Sequence, residues 1–387
     1  MRIAVTGGGT AGHVTPLKSV IHELKKIDSS IEILFIAQKG DRFADLLDHG
    51  SEVDHVHYIQ AGKYRRYPDE TTMQRILDIE THALNARDVF RTGGAVWASY
   101  RVLKQFKPDV VFGNGGYVSV PVGWATSRLN IPLVIHESDA RPGIATRLLT
   151  SRAHKILSGV PTKTTTMRGK ALEYVGIPLR PAFTEPSKDS QAEIKEKLGF
   201  DPKKSLVTIA GSSLGAEAIN TAVISSIDRL LKTTQVAHIT GKDHHAEVAK
   251  AIDASGVKEG YEAISFTDHI DQYFKASDVV INRASATVFA ELAALGKATI
   301  LIPAPQLSDQ LENARVLLDK GAVQVIEQAP LDDAPELLVN RIEELLGDAK
   351  EKARLEKEIK TLAKPDASHK LAEILMTYRG ENGSSKE

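Results

Sequence analysis

Apolar runs of strand length recur along this chain, separated by stretches in which apolar residues return every three or four positions. The runs are Arg2–Thr6, Ile31–Ala37, Val110–Gly113, Leu133–His136, Lys155–Ser158, Leu206–Ala210, Val236–Thr240, Val279–Asn282 and Thr299–Pro303. A parallel strand is covered on both faces and so tolerates an unbroken apolar run. The alternation therefore predicts an α/β fold, with parallel sheets covered by helices on both sides. Between the first two runs, Val14, Leu17, Val20, Ile21 and Leu24 fall on one helical face. Pro16 is expected in the first turn of that helix, where a missing N–H costs little.

The pattern breaks between Pro178 and Lys204, where Pro178, Pro181 and Pro186 accompany a charged stretch. This predicts a linker between two domains, 1–181 and 182–365. A last helix, 366–380, can pack back on the first domain or rest on the second. The length agrees: 387 residues exceed what one core serves at roughly 150 residues per domain.

Charge and composition narrow the classes. There are 49 basic and 50 acidic residues, a net charge of −1, so no global field draws the chain to nucleic acid or to an anionic membrane. Any such contact is local. Cysteine is absent, which excludes disulfides, zinc ribbons and thiol nucleophiles and fits a reducing compartment. Residues 1–12 form a strand and a glycine turn rather than a leader, and no apolar stretch reaches the roughly 18 residues of a spanning helix. A soluble protein of the cytoplasm is expected.

The densest chemical signal is Gly7-Gly8-Gly9-Thr10-Ala11-Gly12, between the first strand and the first helix. Glycines there let the backbone turn sharply and aim N–H groups, at the positive end of a helix, toward phosphate oxygens. A dinucleotide site also needs an acidic residue at the end of the second strand, but Phe35-Ile36-Ala37-Gln38-Lys39 has none. His13 follows the turn, where a neutral imidazole can take a proton from a bound hydroxyl; a structural histidine is the alternative.

Gly8-Gly9-Thr10-Ala11-Gly12-His13-Val14-Thr15-Pro16 resembles the G-G-T-x-G-H-x-x-P signature of the MurG family. Similar segments follow in order: Gly113–Ser119, Ile135–Gly143, Gly176–Pro181, Gly211–Ala216, Arg283–Glu291 and Gln310–Ala314. The resemblance implies a GT-B architecture, two Rossmann-like domains facing across a cleft, with the acceptor on the N-terminal side and the UDP-sugar on the C-terminal side. It implies transfer of N-acetylglucosamine from UDP-GlcNAc to undecaprenyl-linked lipid I, giving lipid II in peptidoglycan synthesis, with inversion at the anomeric carbon. The location it implies is the cytoplasmic face of the bacterial plasma membrane, as a peripheral protein. It brings no cofactor.

Residue by residue, the resemblance makes His13 catalytic and places Gly8, Gly9, Gly115, Gly116, Tyr117 and Asp139 at the acceptor. On the donor it places Thr10, Ala11, Gly12, Arg180, Ser213, Thr267, Ala286, Thr287, Glu291 and Gln310. Glu291, expected on a loop opening a helix, accepts the ribose hydroxyls or merely answers the helix dipole. Ser213 donates to the diphosphate or caps a helix. Arg180 neutralises departing UDP or closes a surface turn. Gln310 pairs with sugar hydroxyls or is solvated.

No Asp-x-Asp occurs, so no metal is expected on the diphosphate. His244 and His245, being adjacent, point apart and are expected at the surface. Lys63, Arg65 and Arg66, beside Tyr64 and Tyr67, form a local basic patch suited to a lipid pyrophosphate and an anionic membrane surface, or an ordinary solvated loop. Ser212, Leu214, Ser285, Val288 and Asp309 depart from the family pattern around the donor, and Asp139 departs at the acceptor. These departures keep open a related transferase with another sugar or lipid, and a UDP-sugar-binding paralogue without turnover.

Overall fold

The structure, a computed structural model, describes residues 1–9, 11–41, 47, 52–62, 79–162, 166–211, 215–256 and 259–380. Two compact units divide the chain: Met1–Arg180 with Lys364–Glu387, and Pro181–Ala363.

The first unit is built on β1 (Arg2–Thr6), β2 (Glu32–Gln38), β3 (His55–Ile59), β4 (Val110–Gly113), β5 (Leu133–Glu137), β6 (Lys155–Ser158), β7 (Thr166–Met167) and β8 (Lys170–Tyr174). Their order across the sheet is β3-β2-β1-β4-β5-β6-β8-β7, parallel except for the β7–β8 pair. Ile3, Val5, Ile33, Phe35, Val110 and Phe112 are buried between the sheet and the helix Ala11–Ile27, as the apolar runs require. That helix begins at Ala11, so Pro16 stands at its sixth position rather than in its first turn. The missing proline N–H then leaves the Gly12 carbonyl without its usual helical donor.

The last helix, Ala367–Met376, belongs to this unit. Leu371 and Leu375 share a core with Val14, Leu17 and Leu24. Full burial of such a leucine is worth about 1.5–3 kcal/mol. Arg379 also pairs with Asp28, and His369 with Glu23.

The second unit carries β9 (Leu206–Ala210), β10 (Gln235–Ile239), β11 (Tyr261–Ile264), β12 (Val279–Asn282), β13 (Thr299–Leu301) and β14 (Gln324–Val325) in the order β11-β10-β9-β12-β13-β14, all parallel. The segment expected as a linker is partly helical: Pro181–Thr184 and Gln191–Lys197 both lie in this unit. Ser190 and Glu193 form a reciprocal cap at the start of the second helix, and its Ile194 is buried with Phe200 and Leu206. The prolines and charges therefore mark a helix start.

In each sheet the strand order reverses once near the middle, between β1 and β4 and between β9 and β12. At such a reversal the loops leaving the two carboxyl ends diverge to opposite faces and open a crevice, the favoured ligand position in open α/β sheets. Both glycine turns lie there.

Candidate active site

In the first unit Thr6 and Gly113 are register partners at the ends of β1 and β4, so the loops after them meet. Gly9 turns the chain at φ 85°, a left-handed conformation that favours glycine. Gly115 and Gly116 are left-handed as well, at φ 67° and 75°. A Cβ on Gly115 would lie 3.0 Å from His13 Nε2, and one on Gly116 2.5 Å from the Gly8 carbonyl. The glycines thus let two backbones close around one imidazole.

The His13 ring is held in a definite tautomer. Its Nδ1 lies 3.1 Å from the Gly8 carbonyl, which can only accept, so in the neutral ring Nδ1 carries the proton and Nε2 the lone pair. The His13 backbone is fixed too, because Asn114 Nδ2 donates to its carbonyl at 2.8 Å. Asn114 is fully buried and reaches the buried His136 on β5, with 2.7 Å between Asn114 Oδ1 and His136 Nδ1. His136 Nε2 donates to the Gly176 carbonyl at 2.9 Å. Both ring nitrogens face oxygen, which favours the imidazolium, but burial is the larger effect and lowers the His136 pKa to about 4.

A second feature changes the electrostatics of the turn. Gly9 N–H donates to Asp41 Oδ2 at 2.6 Å, and a Cβ on Gly8 would lie 2.8 Å from the same oxygen. The amide expected to await a phosphate is thus engaged by the chain's own carboxylate. Half-buried Tyr117 lies across Gly9, its ring 3.1 Å from a Cβ built there. Burial, then the carboxylates of Asp41 and Asp88, raises the Tyr117 pKa.

Glu137, buried at the end of β5, organises the next loop by accepting from the backbone of Asp139 at 3.3 Å and of Gly143 at 2.9 Å. Asp139 itself is half-buried.

In the second unit a cavity of about 520 Å³ opens beside β9 and β12, bordered by Gly211, Gly215, Arg283, Gln306, Gln310 and Asp332. Gly215, at φ 86°, packs against the Thr240 carbonyl so closely that a Cβ would lie 2.2 Å from it. Asn220 holds that carbonyl from the other side, donating Nδ2 at 3.1 Å. His238, fully buried on β10, donates from Nε2 to Asn220 Oδ1 at 3.0 Å, and its Nδ1 accepts from the Tyr261 hydroxyl at 2.8 Å. Its neutral form is completely satisfied, and burial lowers its pKa to about 3.

Arg283 is the buried cation of the cavity, 7% exposed, with Nη1 donating to the Ile302 carbonyl at 3.0 Å. Burial lowers its pKa while Asp332 acts in the opposite direction. Gln310 Oε1 accepts from the Ala304 amide at 3.1 Å, which turns the side chain toward the β13 loop. Asn313 Nδ2 donates to the Ala284 carbonyl at 3.2 Å.

The expected donor residues are only partly assembled. Gln310 borders the cavity; among the described residues, Thr267, Ala286, Thr287 and Glu291 are not part of its lining. Glu291 occupies the sixth position of the helix Ala286–Leu295, so it stands in the helix body rather than on an opening loop, and the dipole alternative loses force. Ser285 caps that helix by accepting from the Val288 amide at 3.4 Å. Thr267 Oγ1 accepts from the His269 amide at 3.0 Å. Gly12 lies in the first turn of the helix Ala11–Ile27, and half-buried Arg180 ends the first unit. Thr10, Ser213, Lys63, Arg65 and Arg66 lie outside the described residues, as does the side chain of Ala11.

His244 and His245 depart from the surface expectation. Both are half-buried; the His244 ring lies 2.9 Å from a Cβ built on Gly215, and His245 Nδ1 lies 3.2 Å from Thr240 Oγ1. Among the described residues, no group of three or more side chains is arranged for a metal. Sequence reasoning missed Asp41 and the cavity role of Arg283. Arg283 opens a recognised motif, whereas nothing around Asp41 signals a contact 32 positions away.

Comparison with known proteins agrees with this anatomy. The glycosyltransferase family 28 N-terminal domain matches residues 3–158, and the family's C-terminal domain matches 206–371. The Bacillus licheniformis UDP-N-acetylglucosamine--N-acetylmuramyl-(pentapeptide) pyrophosphoryl-undecaprenol N-acetylglucosamine transferase is 32% identical over 97% of this chain and 98% of its own. A Bacillus cereus transferase of that name, numbered 1, is 29% identical, with the same two coverages. The crystal structure of Acinetobacter baumannii MurG superposes with a TM-score of 0.75 at 22% identity, covering 97% of this chain and 99% of that one, which supports the fold. Related over nearly its whole length to a transferase 32% identical to it, the chain belongs to the MurG family of family 28 glycosyltransferases.

Proposed function

We propose that this chain transfers N-acetylglucosamine from UDP-GlcNAc to the N-acetylmuramyl sugar of undecaprenyl-linked lipid I, with inversion. The carrying observation is the full-length relationship to transferases named for that donor and acceptor. In the reaction, the acceptor hydroxyl oxygen bonds to the anomeric carbon, the bond from that carbon to the UDP oxygen breaks, and the hydroxyl proton moves to His13 Nε2. Support for this base is the tautomer fixed by the Gly8 carbonyl, which leaves the lone pair on Nε2. Arg283 and Gln310 are the cavity groups suited to a diphosphate and to sugar hydroxyls, as a buried guanidinium and an amide that both donates and accepts.

A lipid-linked acceptor brings the protein to a membrane, and the first unit carries a suitable face. On the helix Ile79–Phe106, Phe90 and Trp97 are 82% and 62% exposed and share a side with Arg101, whose guanidinium stacks 4.8 Å from the Trp97 ring. Exposed aromatics beside cations suit an anionic interface. Among the described residues, no helix is long and apolar enough to cross a membrane. The reading is therefore peripheral attachment at the cytoplasmic face, where UDP-GlcNAc is available.

Purified protein supplied with UDP-GlcNAc and lipid I should release UDP and form lipid II. UDP binding without transfer would leave the non-turnover paralogue, and transfer from a different UDP-sugar would identify the related enzyme. Sedimentation with anionic vesicles should drop when Phe90 and Trp97 are both replaced by alanine. Undiminished sedimentation would remove this helix from the interface.

A further inference from the structure

The start of the helix Glu217–Leu230 is clamped against the end of β10. Gly215 and Ala216, the last residues before that helix, border the cavity. Gly215 is left-handed at φ 86°, and a Cβ on it would lie 2.2 Å from the Thr240 carbonyl, so two backbones touch there with no side chain between them. Where the Thr240 carbonyl stands therefore decides where this border of the cavity stands.

That carbonyl is held by Asn220, 3% exposed in the first turn of the same helix, whose Nδ2 donates to it at 3.1 Å. An amide can face either way, and here the direction is decided from behind. His238 Nε2 donates to Asn220 Oδ1 at 3.0 Å, and the Tyr261 hydroxyl donates to His238 Nδ1 at 2.8 Å. Burial lowers the pKa of the ring and raises that of the hydroxyl, so the first stays neutral and the second keeps its proton. With Nδ1 accepting, the one ring proton sits on Nε2. Asn220 Oδ1 must then face the ring, which leaves Nδ2 for Thr240. Tyr261, His238 and Asn220 all lie outside the lining of the cavity.

We infer that Asn220 is a positioning residue for the donor: it sets Gly215 at the border of the cavity through the Thr240 carbonyl, and His238 with Tyr261 fixes which way its amide faces. The inference rests on the proposed reading of the second unit as the donor side. It adds to that reading three groups that touch no ligand and yet govern how tightly UDP is held.

Calorimetric titration of UDP into the full chain, with transfer kinetics and thermal melts beside it, tests the inference. Asn220→Asp keeps the oxygen that faces His238 and replaces only the donor to Thr240. UDP affinity should fall about tenfold and the UDP-GlcNAc KM rise as much, with kcat and the acceptor KM within about twofold of the parent. Tyr261→Phe removes one hydroxyl and keeps the ring, and it should act in the same direction by about twofold to threefold. His238→Gln, whose amide nitrogen stands in for Nε2, should keep parental UDP affinity, whereas His238→Leu should lose it as Asn220→Asp does. A lowered melting temperature with parental UDP affinity in Asn220→Asp would make the array a core network alone and overturn the inference. Where Asn220→Asp does not fold, parental affinity in Tyr261→Phe and in His238→Leu overturns it. A parent that binds no UDP sinks the donor reading and the inference together, whereas parental affinity in variants of a parent that binds UDP sinks the inference alone.

Discussion

The two units repeat one device, a strand, a glycine turn and a helix at the point where strand order reverses, yet the devices differ in charge. In the first, Asp41 occupies the Gly9 amide and Tyr117 covers it. In the second, the glycines border a cavity containing the buried Arg283, with Asp332 pulling against the effect of its burial. Glycines make close approach possible in both cases. What approaches is decided by side chains from other strands, Asp41 from the loop after β2 and Arg283 from the end of β12. Similar backbone motifs therefore predict a crevice, and not which ligand fills it.

The largest expected effect separates chemistry from donor binding. His13→Ala should lower kcat at least about a hundredfold, within the range typical for a general base, and leave the UDP dissociation constant nearly unchanged. Thermal melts beside the kinetics guard against a folding defect. A near-parental kcat with a raised acceptor KM would make His13 a binding residue and bring the two turns closer in role.

Arg283→Ala should do the reverse, weakening UDP by about tenfold to a hundredfold, the usual worth of a charged hydrogen bond in a buried site. Arg283→Lys should recover part of that loss. If both variants bind UDP like the parent and melt normally, the cavity is not the nucleotide site.

The buried histidines extend the comparison to pH. His136 in the first unit and His238 in the second are held near 4 and 3, against 6.5 for an unperturbed ring. Below about pH 6.5 the unfolded chain takes up protons that the folded chain refuses, so stability present above that pH is lost as pH falls. The loss approaches about 1.4 kcal/mol per histidine per pH unit, or about 2 kcal/mol each at pH 5. Urea unfolding at pH 7 and pH 5, with parent and His238→Asn, checks it. An unchanged slope in the variant would show that His238 carries none of the dependence. The smallest effect is expected at Glu291, which is half-buried in the helix body and outside the lining of that cavity. Glu291→Ala should cost UDP and uridine alike about threefold to tenfold, and an unchanged uridine affinity by calorimetry would remove it from the donor.

Much of this architecture is local and was legible. Buried parallel strands demand continuous apolar runs, so β1, β4, β6, β9 and β12 stand where those runs predict. The apolar runs do not reveal β3, β7, β8, β11 and β14. They lie toward the sheet edges, where one-sided burial lets polar residues such as His55, His57 and Glu262 into the run. The Pro178–Lys204 stretch does hold the division between the units, after Arg180, but proline and charge also mark helix starts, and composition alone does not show that part of it is helical.

The sequence by itself determined the fold class, the two glycine turns, the family resemblance and the position of His13, since each depends on residues within a few places of one another. Only the tertiary structure decided the charge at each turn, the tautomer of His13 with Asn114 and His136 behind it, and the setting of Arg283 in a cavity. Apart from the Gly8 contact within the turn itself, these follow from contacts between residues remote in the chain that the sheet brings together. Their strength depends on burial and distance, which no local pattern of residues contains.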